Sequence, residues 1–437
     1  MVAKLLIDKK REGKALGTAE IREFIEGFVS GSVPDYQMSA MAMAICCRGM
    51  TARETSDLTD AMMRSGRCLD WPGIPTADKH STGGVGDKLS FIVQPLAAAC
   101  GVFVPSLTGR GLGITGGTAD KLESIPGYNA GLPLDEFNDV VRSTGVSMTV
   151  QTAEICPADK KLYALRDVTG TVPSIPLITS SILSKKLAEG AGTLVFDVKC
   201  GSGAFMKTPE EATALAESLV TGAKAAGRRA AALVTDMNTP LGHAVGNANE
   251  VAEALAILDP SKGAQTKSAE NALEISVELA ALMVSLSLDL PMDEARQKCR
   301  DKLADGSALA KFKAMIKAQG GDLDRFDALM RRPVHKFRLL AMRSGHVESI
   351  DAEKVGRVAL SLGAGRMKAD DRIDSLAGVT IAVSVGDRVA VGSPLATLVT
   401  TSTPDTLEKA AAELLKAFTI TQNGVQSPQN PIIKRIN

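Results

Sequence analysis

The sequence predicts an α/β protein with a helical N-terminal part and a smaller mixed α+β lobe at its C-terminus. Apolar residues recur at helical spacing over residues 18–66, and beyond residue 77 short apolar strands alternate with helices. From about residue 338 the chain is β-branched and punctuated by glycine turns. Alternating strands and helices are typical of a parallel sheet. A chain of 437 residues is too long for one core, so we expect more than one domain.

Composition excludes several classes of partner. Lys plus Arg and Asp plus Glu both total 50, so the chain lacks the basic excess that favours binding to nucleic acid or acidic membranes. The apolar run 91–105 is broken by Gln94, Pro95 and Gly101, and the N-terminal residues do not resemble a signal peptide. Seven cysteines without a CxxC pair favour a reduced compartment. We therefore expect a cytoplasmic protein with no nucleic-acid or membrane partner.

The first domain is predicted to begin with three short helices. Apolar side chains recur every three or four positions in the first, and the third opens with Thr51 and Glu54 at the spacing of a capping box. The second is small and apolar nearly all round, so it is buried inside a domain or in a subunit interface. These helices are expected at 18–31, 34–49 and 51–66.

The alternating region predicts the larger domain. Buried strands are expected at 102–107, 193–198 and 229–236, with helices at 208–226 and 249–258. Residues 158–188 interrupt this alternation with helical sequence, which indicates that the chain returns to the first domain. The predicted units are then a helical domain of 1–65 and 158–188, an α/β domain of 75–149 and 192–337, and a C-terminal lobe of 338–437.

Two glycine-rich segments carry the first sign of a binding site. Residues 77–90 read ADKHSTGGVGDKLS, and residues 106–123 place further threonines among glycines. Glycine lets backbone N–H groups converge on an anion, Lys79 supplies charge, and the hydroxyls supply donors. Loops at strand ends of an α/β sheet meet at one edge, so the pair indicates a phosphate site. One such loop alone is equally typical of a plain turn, and neither matches a P-loop.

A third segment, residues 158–190, carries polar residues in a helical context. Ser181 and Lys185 are four positions apart, so a helix places them on one face, and Arg166 precedes them. Taken alone, this pattern is more typical of an exposed helix with scattered charges.

Five motifs in order resemble the thymidine and pyrimidine-nucleoside phosphorylases almost end to end. They are DKHSTGGVGD, TGRGLGITGGTADKLESIPG, PADKKLYALRDVTGTVPSIPLITSSILSKKLAEG, FDVKCGSGAFM and PLGHAVGNANEV. The family reaction is reversible phosphorolysis of a pyrimidine nucleoside by inorganic phosphate, giving a pentose 1-phosphate and free base without an organic cofactor. The resemblance also implies a helical domain and an α/β domain with the active-site cleft between them, and a homodimer joined through the helical domain.

The resemblance assigns roles to particular residues. The expected phosphate ligands are Lys79, Ser81, Ser90, Thr108 and Thr118. The expected base ligands are His80, Arg166, Ser181 and Lys185, with an apolar wall of Val172, Ile178 and Phe205. Of these, His80, Arg166 and Lys185 are expected to be catalytic. A monovalent cation such as K⁺ is expected at the backbone carbonyls and the one carboxylate of Gly86, Lys88, Leu241, Ala244 and Glu253.

The expected chemistry follows from charge. Cleavage of the glycosidic bond leaves negative charge on the base, which Arg166 and Lys185 would stabilise. His80 would act either as a proton donor or as a dipole. Two residues depart from the family pattern: Thr108 stands where serine is usual, and Ile114 where histidine is usual. Ile114 either takes the place of a hydrogen bond that helps the cleft to close or packs beneath the glycine loop.

Alternative functions remain open from the sequence. Anthranilate phosphoribosyltransferases share the two-domain design but bind a diphosphate with magnesium, and the motifs above favour the nucleoside enzyme. A non-catalytic nucleoside-binding homologue is the second alternative, with Ile114 as the sign of lost activity. The sequence does not decide between thymidine and uridine.

Overall fold

The structure is a computed structural model that describes residues 2–111, 114, 116–368, 371–425 and 430–437. In chain order the helices are α1 (Ala3–Arg11), α2 (Thr18–Ser30), α3 (Asp35–Arg48), α4 (Ala52–Met63), α5 (Ser90–Ala99), α6 (Thr118–Leu122), α7 (Leu134–Thr144), α8 (Pro157–Val168), α9 (Ile175–Ala188), α10 (Pro209–Ala225), α11 (Ala248–Leu258), α12 (Lys267–Leu288), α13 (Met292–Ala304), α14 (Ser307–Ala318), α15 (Leu323–Met330), α16 (Ala352–Ala359) and α17 (Asp405–Leu415). The strands are β1 (Ala77–Ser81), β2 (Val104–Thr108), β3 (Val146–Val150), β4 (Thr193–Cys200), β5 (Arg229–Asp236), β6 (Ala244–Gly246), β7 (His335–Leu340), β8 (Gly345–Ile350), β9 (Gly378–Ile381), β10 (Arg388–Val389), β11 (Pro394–Thr400), β12 (Phe418–Thr421) and β13 (Ile432–Ile436).

The N-terminal helices share one apolar core with α8 and the start of α9. The predicted capping box is present: Thr51 Oγ1 accepts from the backbone N–H of Glu54, and Glu54 Oε2 accepts from that of Thr51. Glu54 is also buried against Lys10 Nζ, 2.8 Å away, and the backbone N–H of Leu16. This ion pair fixes α1, a helix that the sequence did not predict because its basic residues obscure its apolar face.

A mainly parallel sheet forms the centre of the larger domain. Strands β1, β4 and β5 are parallel neighbours, β2 pairs with β3, and a parallel bridge from Thr76 to Phe103 joins the two groups. The strand predicted at 229–236 is β5, and that predicted at 193–198 runs on to Cys200. Strand β13 adds an antiparallel edge beside β5. The expected lobe of 338–437 is therefore not self-contained, since its last residues complete the central sheet.

Helix α12 is the core helix of this domain. It has 22 residues and is the one helix in the described ranges that is long and apolar enough to span a membrane. Most of it is buried in the protein, where it packs against α5, α13 and the strands β1, β4 and β5. Its apolar character is accounted for by that packing, because both sides of the helix contact protein.

The C-terminal lobe is continuous with the α/β domain. Strand β6, which belongs to the loop before α11, pairs antiparallel with β9 of the lobe. Apolar side chains of the lobe join the same core as those of α5 and α12. Helix α16 also touches the second glycine segment: a Cβ built on Gly356 would lie 3.0 Å from Ile114 O and 3.4 Å from Ile114 Cβ. The lobe therefore supports the loops that surround the sheet edge.

Candidate active site

The polar residues of both glycine segments meet at the carboxyl edge of the central sheet. Lys79 and Ser81 lie on β1, and Thr108 is the last residue of β2. Ser90 and Thr118 are the first residues of α5 and α6. The expected phosphate ligands thus lie on β1, at the end of β2 and at the starts of α5 and α6, and their joint binding of phosphate stays a prediction.

Two buried donors at this edge make no hydrogen bond to the residues that the structure describes. Lys79 Nζ forms ion pairs with Asp197 at 3.4 Å and with Asp87 at 3.9 Å, but within the described ranges neither Lys79 Nζ nor Thr108 Oγ1 has a hydrogen-bond partner. A buried donor without an acceptor costs about 1–3 kcal/mol. Both groups are therefore poised to donate to an acceptor that the protein chain does not itself supply, such as a phosphate oxygen.

Carboxylates that the sequence analysis did not assign hold this lysine in place. Asp87 accepts from Ser81 Oγ at 2.5 Å, and Asp197 lies 2.7 Å from Lys199 Nζ. Burial disfavours the charged form of Asp87, but Lys79 and Lys199 outweigh it and hold the pKa of that carboxyl well below its usual range. The signal was present in the motif FDVKCGSGAFM, where an aspartate and a lysine occupy a strand that is otherwise apolar.

The expected base ligands lie on α8 and α9, and their donors are already engaged. Lys185 Nζ pairs with Asp159 and donates to Ser181 Oγ at 3.0 Å, so Ser181 and Lys185 do share a helix face. Arg166 is buried, and its guanidinium donates at 2.8–3.2 Å to backbone carbonyls of the turn between the two helices and of the first turn of α9. These carbonyls belong to Thr171, Val172 and Leu177.

His80 lies between the two groups. Burial, together with the charges of Lys186, Lys185 and Lys79, holds the pKa of His80 well below its usual range. The imidazole is therefore neutral at neutral pH, which favours the dipole over the charged proton donor among the two roles expected for it. The charges of Lys79, from the expected phosphate set, and of Lys185, from the expected base set, both lower the pKa of His80.

The apolar wall is less compact than the ligand sets. Val172 and Ile178 are half-buried, whereas Phe205 is 53% exposed on the loop after β4. Lys186, which the sequence analysis passed over, is buried between β1 and β2 and donates to Asp78, to Glu189 and to the carbonyl of Leu107. It ties the helix that carries Lys185 to the sheet edge that carries Thr108. The neighbouring lysines of α9 thus have different environments, one facing the cleft and one holding the helix.

Three of the oxygens expected to bind a monovalent cation converge on a side chain of the protein. Lys88 Nζ lies 2.6 Å from Leu241 O, 2.9 Å from Ala244 O and 2.8 Å from Glu253 Oε2. The K⁺ site at these positions stays a prediction, and the ammonium of Lys88 lies where these three oxygens point. The family resemblance assigned only the backbone carbonyl of Lys88 to the cation site. It gave no indication that the side chain of Lys88 points into that site. In the described part of the chain, no group of three or more His, Cys, Asp or Glu side chains is arranged to hold a metal ion.

Three family models match consecutive parts of the chain. The helical bundle domain of the glycosyl transferase family matches residues 4–66, its a/b domain matches residues 73–309, and the pyrimidine nucleoside phosphorylase C-terminal domain matches residues 346–421. The pyrimidine-nucleoside phosphorylase of Geobacillus stearothermophilus is 45% identical over 428 residues, 97% of each chain. That of Bacillus subtilis is 47% identical over 398 residues, 90% of each chain. The chain belongs to the pyrimidine-nucleoside phosphorylase family.

The fold is also found beyond this family. Anthranilate phosphoribosyltransferase from Thermus thermophilus matches with a TM-score of 0.58, covering 73% of this chain and 99% of that one. At 20% sequence identity this likeness shows the fold alone. Family membership makes the protein a glycosyl-transferring enzyme with phosphate as co-substrate, and it disfavours the phosphoribosyltransferase alternative.

Proposed function

We propose that this enzyme catalyses the reversible phosphorolysis of pyrimidine nucleosides, giving the free base and a pentose 1-phosphate. The observation that carries the proposal is that two buried donors at the carboxyl edge of the sheet, Lys79 Nζ and Thr108 Oγ1, make no hydrogen bond to any residue in the described ranges. A phosphate oxygen is an acceptor for both. The relatives named above supply the substrate class, because both are pyrimidine-nucleoside phosphorylases.

For its part in the proposed reaction, phosphate must be bound and oriented by the enzyme. Lys79 on β1 and Thr108 at the end of β2 would donate to phosphate, and the hydroxyls of Ser90 and Thr118 at the starts of α5 and α6 would be further donors. Inorganic phosphate is already a nucleophile, so holding one oxygen near C1′ lowers the barrier through proximity. No covalent intermediate with the protein is required.

The base half needs stabilisation of charge. A bond forms between the phosphate oxygen and C1′, the bond from C1′ to N1 of the base breaks, and its electron pair leaves with the pyrimidine. Arg166 and Lys185 would stabilise the resulting negative charge at the base, with Ser181 as a further donor. His80 is neutral, so it would donate a hydrogen bond from its N–H without delivering a full charge. Val172, Ile178 and Phe205 would contact the apolar edge of the pyrimidine.

A homodimer in the cytoplasm is part of the proposal. Helix α3 leaves a stripe of small and apolar side chains exposed at helical spacing, including Tyr36 at 73% and Met43 at 44% exposure. An exposed apolar stripe on the helical domain is what a second copy of the chain would cover.

The test is a phosphate-dependent assay for released base. The purified enzyme should release base from thymidine, deoxyuridine or uridine only when phosphate is present, and comparison of kcat/KM among the three identifies the preferred sugar and base. Lys185→Met should abolish most of the release, whereas Lys160→Met, a change at an exposed lysine of α8, should not. Binding of nucleoside with no phosphate-dependent release would instead support the non-catalytic alternative.

A further inference from the structure

Lys88 is held by a cage of oxygens that matches its donors one for one. The ammonium has three N–H donors, and three oxygens lie within hydrogen-bond distance of Nζ: the carbonyls of Leu241 and Ala244 and one carboxylate oxygen of Glu253, at 2.6–2.9 Å. The side chain of Lys88 is fully buried. A lysine in such a site has no donor left for substrate or solvent.

Glu253 is equally committed to this cage. Its Oε2 accepts from Lys88 and from the backbone N–H of Ala244, and its Oε1 accepts from the backbone N–H of His243 at 2.9 Å. Burial opposes the charge of the carboxylate, but Lys88 and His243 outweigh it and lower the pKa of Glu253 to about 2. The cage therefore contains one full negative charge that must be balanced by one positive charge.

The backbone closes tightly around the ammonium at two glycines. Gly242 has φ +68°, and a Cβ there would lie 2.6 Å from Lys88 Nζ and 2.3 Å from Glu253 Oε1. Gly86 has φ +74°, and a Cβ there would lie 2.6 Å from Leu241 O. Both glycines allow the main chain to approach the ion pair more closely than any other residue would.

We propose that the ammonium of Lys88 is a built-in substitute for the monovalent cation that carbonyls and a carboxylate in this arrangement would otherwise bind. One positive charge on an ion of similar size satisfies the same oxygens, and a tethered ion cannot dissociate. The enzyme is accordingly independent of K⁺. This conclusion concerns the cage alone and holds whatever reaction the cleft performs.

The position of the cage gives Lys88 a role in the proposed function. Lys88 lies between Asp87, which holds Ser81, and Ser90 at the start of α5. Its ion pair joins this segment to α11, and its two hydrogen bonds to carbonyls join the segment to the loop before that helix. Lys121 does the same nearby, donating to Asp87 O and to Glu250 Oε2 of α11. Lys88 is thus a positioning residue for the phosphate edge, and this step rests on the function proposed above.

The first test uses the natural enzyme in two buffers of equal ionic strength. One contains K⁺, and the other contains tetramethylammonium, which is too large for the cage. We expect the same thermal unfolding midpoint and the same kcat/KM in both. A midpoint or a rate that rises with K⁺ concentration and saturates would overturn the proposal, because a protein that binds a ligand only when folded is stabilised in this way.

The second test opens the cage. Lys88→Thr removes the ammonium and leaves a hydroxyl oxygen as a further ligand, so the variant should unfold at a lower temperature in tetramethylammonium and recover on titration with K⁺. Removing one partner of a buried ion pair is strongly destabilising, which makes the loss easy to measure. The KM for phosphate should rise in tetramethylammonium and fall again with K⁺.

Lys121→Thr is the matched control, since it removes an equally buried ammonium from a neighbouring glutamate. It should lose stability and show no recovery with K⁺, because its ammonium contacts one carbonyl where Lys88 contacts two. Equal recovery of both variants, or no recovery of a folded Lys88→Thr, would count against the proposal. If Lys88→Thr does not fold in either buffer, the comparison of the natural enzyme in the two buffers decides. If the natural enzyme shows no turnover in either buffer, the proposed function is contradicted. The assignment of the cage still holds in that case, provided that the unfolding midpoint is the same with and without K⁺.

Discussion

The two sides of the cleft differ in how far their donors are satisfied before any ligand binds. On the sheet side, Lys79 Nζ and Thr108 Oγ1 are buried and make no hydrogen bond to the part of the chain that the structure describes. On the helical side, Arg166 donates to three carbonyls, and Lys185 is paired with Asp159. The sheet side is therefore preorganised for an anion, whereas the helical side binds a ligand only by sharing or exchanging partners.

This difference means that phosphate binding and cleavage of the glycosidic bond depend on the protein in different ways. A preorganised donor lowers the free energy of the bound anion without rearrangement, at the expense of folded-state stability in its absence. A donor that is already paired with a carbonyl oxygen or a carboxylate gains little from a neutral ligand. It stabilises the transition state most when negative charge develops on the ligand, as it does on the departing pyrimidine. The sheet side should then govern affinity for phosphate, and the helical side should govern the rate of bond cleavage.

The largest effect is expected on the helical side. Lys185→Met or Arg166→Met should reduce kcat by about 10²–10³-fold, the range for loss of one electrostatic stabiliser of a transition state. The KM for phosphate should change little, because these residues do not touch the phosphate set. Steady-state kinetics with both substrates varied checks this, with circular dichroism to show that the variants fold. A rise in the KM for phosphate at unchanged kcat would mean that the two sides are assigned in reverse.

The next effect concerns Lys79. Lys79→Met should weaken phosphate binding by about 10- to 100-fold, since a hydrogen bond from a charged group is worth about 1.5–3 kcal/mol. The KM for nucleoside should be nearly unchanged. Isothermal titration of the variant with phosphate and the steady-state KM should agree. Lys199→Met is the control. It removes the other lysine that pairs with Asp197 and so the same positive charge, but it keeps Lys79 Nζ as a donor for phosphate.

The sequence predicted the carboxyl edge of the sheet better than the buried contacts that hold this edge in place. Glycine-rich loops beside predicted strands indicated an anion site at this edge, whereas the five phosphate ligands came from the family resemblance; β5 was predicted at its observed bounds. Lys88 could not be assigned its environment, because burial of a lysine depends on Leu241 and Glu253, which are 153 and 165 residues away in the chain. Strand β13 was missed for the same reason, since its partner β5 lies in another domain.

Thr108 allows the stability cost on the sheet side to be measured. Thr108→Val removes an unpartnered buried hydroxyl, so it should raise the unfolding midpoint without phosphate while weakening phosphate binding by roughly tenfold or less. Ser106→Ala is the matched control on the same strand, because Ser106 Oγ accepts from Gln94 at 2.7 Å and its loss should lower the midpoint. If Thr108→Val is less stable than the natural enzyme, Thr108 Oγ1 has a partner and the sheet side is not preorganised there.

His80 gives a pH test of the boundary between the two sides. With its pKa held well below the usual range, the imidazole stays neutral, so the ratio of kcat for the natural enzyme to that for His80→Asn should be constant from about pH 6 to 8 and about tenfold or less. The neutral form is favoured by folding, so His80 adds to stability above its unfolded pKa of about 6.5, and this part is lost as pH falls. A kcat ratio that changes through pH 6.5 would instead indicate a charged His80.

The smallest effect is expected at Ile114, where the family usually has histidine. The structure places Ile114 beside Gly356 of α16, so the residue contacts the C-terminal lobe, and neither Lys79 nor Lys185 depends on it. One neutral hydrogen bond is worth about 0.5–1.5 kcal/mol, so Ile114→His should change kcat/KM by tenfold or less in either direction.

The natural enzyme should thus be active with isoleucine at this position. Gly356→Ala provides the comparison, because its methyl group would press on Ile114 and on Val85, 2.8 Å away, from the lobe side without adding a polar group. If the natural protein has no turnover and Ile114→His restores it, closure of the cleft depends on a hydrogen bond that this chain has lost. In that case the difference between the sheet side and the helical side would explain how ligands bind but not the rate of bond cleavage.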